Sequence, residues 1–162
     1  MINYPDEFDP KRASVFVRNE LEMTVAPEAV WAWLVRADLW STWYPNAADM
    51  SIEGGTGSEL SNGTRFRWRT FGVTIDSTVR EFVPFERIAW DGHALGVHVY
   101  HAWLIEKRDT GCRVLTEETQ NGVLTRLGHL LTPQRMSKFH QIWLEQLHRQ
   151  AREGAPPQNN LG

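Results

Sequence analysis

Two histidines, a tyrosine and a tryptophan stand in the stretch HVYHAWLIE, His98 to Glu106, where the alternation otherwise reads as a buried strand. An imidazole in such a place is a metal ligand, a proton-transfer group, or a polar fixture in the wall of a hollow interior. Strand parity narrows the choice. Positions three apart on a strand face opposite ways, so His98 and His101 cannot share an ion. One face carries Val97, Val99, His101, Trp103 and Ile105; the other carries His98, Tyr100, Ala102, Leu104 and Glu106. The first is the expected interior, and His101 is its single polar member.

The next segment, CRVLTEETQ, sorts into Val114, Thr116, Glu118 and Gln120 on the expected inner face and Arg113, Leu115, Glu117 and Thr119 on the other. A hairpin with Lys107 opposite Cys112 sets His101 against Glu118. A tighter register sets His101 beside Gln120 and diagonal to Glu118. Either way a histidine and a carboxylate share one inner surface. A dry core tolerates such a pair only when it is fully hydrogen-bonded, whereas a cavity holding ligand or solvent accepts it readily. Chemically, the pair is an acid–base couple able to take a proton from a carbon beside a carbonyl, with desolvation making Glu118 a stronger base. His140 can approach such a cavity, but no carboxylate stands at a ligand spacing from it in sequence, so no metal ligand set and no cofactor are expected. Glu117 is expected as a surface charge, and His93 and His98 as exposed.

The elements that must position this pair follow from periodicity. VFVRNELEMTV alternates as a half-buried strand, and PEAVWAWLV opens a helix with Pro27 and Glu28 in its first turn. ADLWSTWYP offers Asp38 as the cap of a second short helix that places Trp40 and Trp43 on one face. TRFRWRTF and VTIDSTVREFV form a hairpin about Gly72. Its registry sets Trp68 across from Ile75, Phe66 from Ser77, and Arg67 from Asp76, with rings inside and arginines in water. RIAWDG brings Trp90 to the next strand. TPQRMSKFHQIWLEQLHRQAR reads as a long final helix whose stripe includes Met136, Phe139, His140, Trp143 and Leu147.

At 162 residues the chain fits one domain, with residues 14–152 folded and the polar segments 1–13 and 153–162 expected to be mobile. Eight tryptophans exceed what a solid core of this size needs and suit the walls of a ligand pocket. A net charge of −3, with basic residues spread along the chain, offers no stripe for nucleic acid. No apolar run reaches membrane-span length and no secretory signal is evident, so the chain is expected to be soluble and cytoplasmic. One cysteine, Cys112, rules out an internal disulfide.

The order strand, two short helices, six strands, long helix, together with APEAVWAWLV…LWSTWYP, TVREFVPFERIAW and HAWLIEKRDTGCRVLTEETQNG, resembles the START-like or SRPBCC superfamily. The likeness is greatest to its polyketide cyclase/dehydrase-like branch and covers about residues 14–150. The resemblance implies an α+β helix-grip fold: a curved antiparallel sheet of about seven strands around the long C-terminal helix, enclosing a hydrophobic cavity. Its walls would be Trp40, Trp43, Phe66, Trp68, Ile75 and Trp90, then Val99, His101, Trp103 and Glu118, faced by Met136, Phe139 and Trp143. The glycine-rich GGTGS at 54–58 resembles a loop of pollen-allergen and plant-hormone-receptor relatives, and it lacks the Lys-Ser/Thr ending of a nucleotide loop.

Family members bind lipids, sterols, hormones, flavonoids or polyketides, and some catalyse cyclisation or dehydration. The first expectation is therefore a binder of a small hydrophobic, ring-bearing molecule, lipid or polyketide-like. The second is a cyclase or dehydratase using His101 and Glu118. The third, a chaperone-activator-like protein-interaction domain, would need an exposed apolar patch, hinted at only by Tyr100 and Leu104. A monomer or homodimer fits each reading.

Overall fold

The protein is described by a computed structural model covering residues 1–53 and 58–158, so the glycines of the GGTGS loop lie outside the described residues. The chain order is β1 (Val15–Met23), α1 (Pro27–Leu34), α2 (Trp40–Trp43), β2 (Ala48–Ile52), β3 (Arg65–Thr70), β4 (Val73–Val83), β5 (Arg87–Ala94), β6 (Val97–Arg108), β7 (Gly111–Asn121), α3 (Val123–Leu131) and α4 (Arg135–Glu153). All seven strands join one antiparallel sheet in the order β1-β7-β6-β5-β4-β3-β2. Strands β2 to β7 form a continuous meander, and β1 closes on β7. The grip comes from α4, which packs on β1 and α1.

The β3–β4 hairpin shows how the pattern sets register. Thr70 pairs with Val73, Trp68 with Ile75 and Phe66 with Ser77, and the exposed Arg67 meets Asp76 at 2.6 Å. A one-residue slip would turn Phe66 and Trp68 to water and the arginines inward. Phe71 and Gly72 both have positive φ, 52° and 82°, as a twist-matched two-residue hairpin requires.

Two local expectations need correction. Asp38 caps no helix: it lies in a single 3-10 turn, Ala37–Leu39, where its two carboxylate oxygens accept from Arg36 Nε and Nη2 at 2.9 and 2.8 Å. A buried guanidinium needs that partner more than a four-residue helix needs a cap. Helix α3 is an element that the sequence reading left unassigned. Gly122, at φ 121°, turns the chain out of β7 into it, and a Cβ there would lie 2.2 Å from the Gly96 carbonyl oxygen.

Residues 1–13, expected to be mobile, run along the convex face of the sheet. Phe8 is 3% exposed and stacks on Tyr100 at 5.5 Å, and Tyr4 donates to Glu117 Oε2 at 2.5 Å. Tyr100 is therefore covered, with only 1% exposed, and contributes nothing to the exposed apolar patch hinted at on that face, while Leu104 is half-buried. Glu117 is buried for the same reason, accepting from Tyr4 and pairing with Arg18 at 3.2 Å. The described part of the C-terminal tail is also tied down, with Trp33 Nε1 donating to the Gly154 carbonyl and Arg36 Nη1 to that of Pro157.

Gly92 on β5 keeps the inner face open. A Cβ at this position would come within 2.7 Å of Ile75 Cγ2 and 2.8 Å of Val99 Cγ2, both methyls of stiff β-branched side chains. Gly92→Ala is expected to destabilise the fold by about 1–3 kcal/mol, as overpacking does. A shift of the urea midpoint to lower concentration at unchanged slope checks this; an unshifted midpoint would show that the two walls yield freely.

Candidate functional site

The inner face divides into a solid half and a hollow half. In the solid half, Trp40 packs on Phe66, Trp68, Trp90 and Trp143 with ring centroids 5.1–6.1 Å apart, and its Nε1 donates to the Leu34 carbonyl at 3.1 Å. Trp103 lies beneath Trp143 at 5.1 Å, and Trp43 meets Trp33 edge-on at 6.5 Å. In the hollow half, a cavity of about 220 Å³ is bounded by the sheet, α3 and the first turns of α4. That is small beside ordinary ligand sites of about 300–1,000 Å³.

Of the thirteen side chains expected to line a pocket, eight do so: Trp68, Ile75, Trp90 and Val99 from the sheet, the pair His101 and Glu118, and Met136 and Trp143 from α4. Trp40, Trp43, Phe66 and Trp103 belong to the solid aromatic core, and Phe139 sits behind Phe71 at 5.4 Å. They fill space because the indoles interlock edge to face. Gln120, expected on the inner face, and His140, expected to approach the cavity, also line it, and the walls that sequence reasoning missed include Tyr44, stacked on Trp143 at 4.3 Å, Phe71 and the inner side of α3. Phe71 carries a signal readable only in the backbone: a bulky residue at positive φ, held by donation from its N–H to Asn46 Oδ1 at 2.9 Å. For α3 the signal was Leu127, Leu130 and Leu131 at helical spacing after Gly122.

At the inner end of the cavity the charged groups converge. His101 and Glu118 are direct cross-strand partners, the first of the two registers weighed, and the hairpin continues to Arg108 opposite Gly111. His101 Nδ1 lies 3.1 Å from Glu118 Oε2, and His140 Nε2, one turn before Trp143 on α4, lies 3.2 Å from the same oxygen. The other carboxylate oxygen accepts from the Gln120 amide. His101 Nε2 is 2.7 Å from Thr116 Oγ1. Glu118 therefore fixes the tautomers: each ring nitrogen facing it carries the proton, and the Thr116 hydroxyl donates to His101 Nε2.

Burial alone would raise the Glu118 carboxyl, but the ring N–H groups of His101 and His140 outweigh it and hold the group below the ordinary carboxylate range. Burial also lowers His101 against the pull of Glu118, so the ring stays neutral. The carboxylate is consequently a weaker base than free glutamate, contrary to the expectation from desolvation alone. Cys112, its thiol pushed up to about 11 by burial, is no nucleophile.

These directions fix a pH dependence. Below pH 6.5 the unfolded chain protonates His101 while the native state resists, and below 4.5 the same holds for Glu118. The unfolded state then binds more protons, so stability falls on acidification, by at most about 1.4 kcal/mol per pH unit for each group. His148, lowered by burial and by Arg152, adds in the same sense. Urea midpoints should decline from about pH 6.5 downward and more steeply below about 4.5; equal midpoints at pH 7 and 5 would contradict a neutral buried His101.

The sequence profile of the polyketide cyclase/dehydrase and lipid transport family matches residues 15–152, nearly the whole folded span. The chain belongs to that family. Among solved structures, a hypothetical protein of Helicobacter pylori is 32% identical, covering 93% of this chain and 96% of that one at a TM-score of 0.87. The Zhui aromatase/cyclase from a Streptomyces species aligns over 86% of this chain and 94% of its own at TM-score 0.67 and 14% identity. The di-domain aromatase/cyclase StfQ of the steffimycin pathway aligns over 86% of this chain at TM-score 0.69 and 17% identity, and this chain spans about half its length, 51%. At such identities the last two establish the shared helix-grip architecture of the polyketide cyclase/dehydrase and lipid transport family, and no more. No curated protein matches the chain in sequence. Among the described residues no helix is long and apolar enough to cross a membrane.

Proposed function

We propose that the chain binds a small hydrophobic, ring-bearing molecule, lipid or polyketide-like, in the cavity between the sheet and α4. One observation carries the reading: a mostly apolar and aromatic hollow ends on a cluster of buried polar side chains, the layout by which pockets take up a flat apolar body and orient one oxygen function. Membership in the polyketide cyclase/dehydrase and lipid transport family supports the same class of ligand. Trp143 Nε1 adds a buried donor with no hydrogen-bond partner among the described residues.

A cyclase or dehydratase activity is the second reading, favoured by the carboxylate on the cavity wall. Its weakness is that both ring nitrogens of His101 are already engaged, by Glu118 and by Thr116. A proton relay through His101 must break one of these bonds first, and a carboxylate held below its ordinary range is a poor base. Binding needs no such step.

Native mass spectrometry of the purified protein, followed by solvent extraction, tests the proposal: a retained organic mass is expected. Val99→Phe, which adds volume at the cavity wall, should abolish retention while leaving the circular dichroism spectrum unchanged. Retention undiminished in Val99→Phe would mean that the molecule sits elsewhere.

A further inference from the structure

His101 from β6, Glu118 from β7 and His140 from α4 present one donor atom each, all within 4.8 Å of one another. Strand parity brings His101 and Glu118 to one inner surface, and the packing of α4 adds His140, 22 residues beyond Glu118, as the third donor. We propose that His101 Nδ1, Glu118 Oε2 and His140 Nε2 bind a divalent transition-metal cation, zinc being the best match, with the remaining coordination position open to the cavity.

The donor set suits that ion. Two imidazoles and one carboxylate make a three-ligand set of the kind that leaves a fourth position free. Donors held at about 2.0–2.1 Å in a tetrahedron lie about 3.3 Å apart, and two of the three separations here are 3.1 and 3.2 Å. The outer partners of such a site are present as well. In the metal-bound state His101 carries its proton on Nε2 and donates it to Thr116 Oγ1, already 2.7 Å away, while the Gln120 amide holds the second oxygen of Glu118. Charge points the same way. Glu118 is 6% exposed, and its ion-pairing partners among the described residues are the two imidazoles alone, with no lysine or arginine. A cation between the three groups supplies the opposite charge that a buried carboxylate otherwise lacks. The other close histidine pair, His93 and His98, is exposed at a strand end and meets no third donor at ligand distance among the described residues.

This inference goes beyond ligand binding and is tested without any organic ligand. Chelator-stripped protein is titrated with zinc in competition with a chromophoric chelator. One equivalent per chain is expected, with affinity at least about 100-fold weaker in Glu118→Gln and in His140→Gln, and about tenfold weaker in Thr116→Val. The double variant His93→Ala/His98→Ala should bind like the parent. Substoichiometric uptake, or affinity unchanged in both Glu118→Gln and His140→Gln, overturns the site, as does loss confined to the His93/His98 variant. Should the two ligand variants fail to fold, cobalt added to the parent chain decides: intense visible bands of a four-coordinate ion support the site, and the pale spectrum of a six-coordinate ion overturns it. Failure here leaves the cavity reading intact, and failure of mass retention leaves the metal result intact.

Discussion

Truncating Trp143 to alanine is expected to cost about 3–5 kcal/mol of folding stability, the range for removing a large buried aromatic side chain. Trp143 is the point where the solid and hollow halves of the interior meet. Its ring lies 5.1 Å from Trp40 and from Trp103, 4.3 Å from Tyr44 in a stacked pair, and 5.3 Å edge-on from His101. Alanine would join the cavity to a new void beside it, and the interlocked indoles around it cannot collapse into that space without leaving their rotamers. Equilibrium urea unfolding, followed by circular dichroism because the fluorescence changes with the residue, measures the loss. A destabilisation under about 1 kcal/mol would show the aromatic cluster to be loosely packed. Trp103→Ala, set in the core away from the cavity, should be comparably destabilising, yet among chains that still fold it should retain a bound organic molecule that Trp143→Ala loses.

The second large effect is expected at Glu118. Glu118→Leu leaves the N–H of His101 Nδ1 and that of His140 Nε2 buried without their acceptor. Each orphaned donor costs about 1–3 kcal/mol, so a total of about 2–6 kcal/mol is expected at pH 7 even though an apolar side chain replaces a charged one. The pH profile separates this from a simple packing defect. Without the carboxylate that opposes its desolvation, His101 stays neutral to still lower pH, and the steep loss below about pH 4.5 attributed to Glu118 disappears from the urea midpoints. A variant as stable as the parent at pH 7, with the parent's acid limb intact, would mean that the triad bears no structural load.

Much of the frame was legible before any coordinates. Alternation set the inward face of β3, β4, β6 and β7 and the register of the β3–β4 hairpin, because one slipped residue would exchange rings for charges, as with Phe66 and Trp68 against Arg65, Arg67 and Arg69. The same parity put His101 and Glu118 on one inner surface with two registers open, and the structure takes the one that sets them directly opposite. The stripe of α4 was equally plain. What escaped was short or dictated by distant partners: α3, whose leucines do not seat against the core, with Leu130 78% exposed, and Asp38, claimed by the buried Arg36 instead of by a helix end.

By itself, then, the sequence determined the order of the strands and of every helix but α3, which side of the central strands faces inward, and that a histidine and a carboxylate share the inner surface; these are matters of period two and period 3.6, carried by neighbouring residues. Tertiary structure decided how much of the interior is solid and how much is hollow, because that depends on the shapes in which indoles from five different elements interlock. It also decided that His140 completes the His101–Glu118 pair. No local periodicity encodes where α4 lies across the sheet, and only that docking brings the ring within 3.2 Å of the carboxylate.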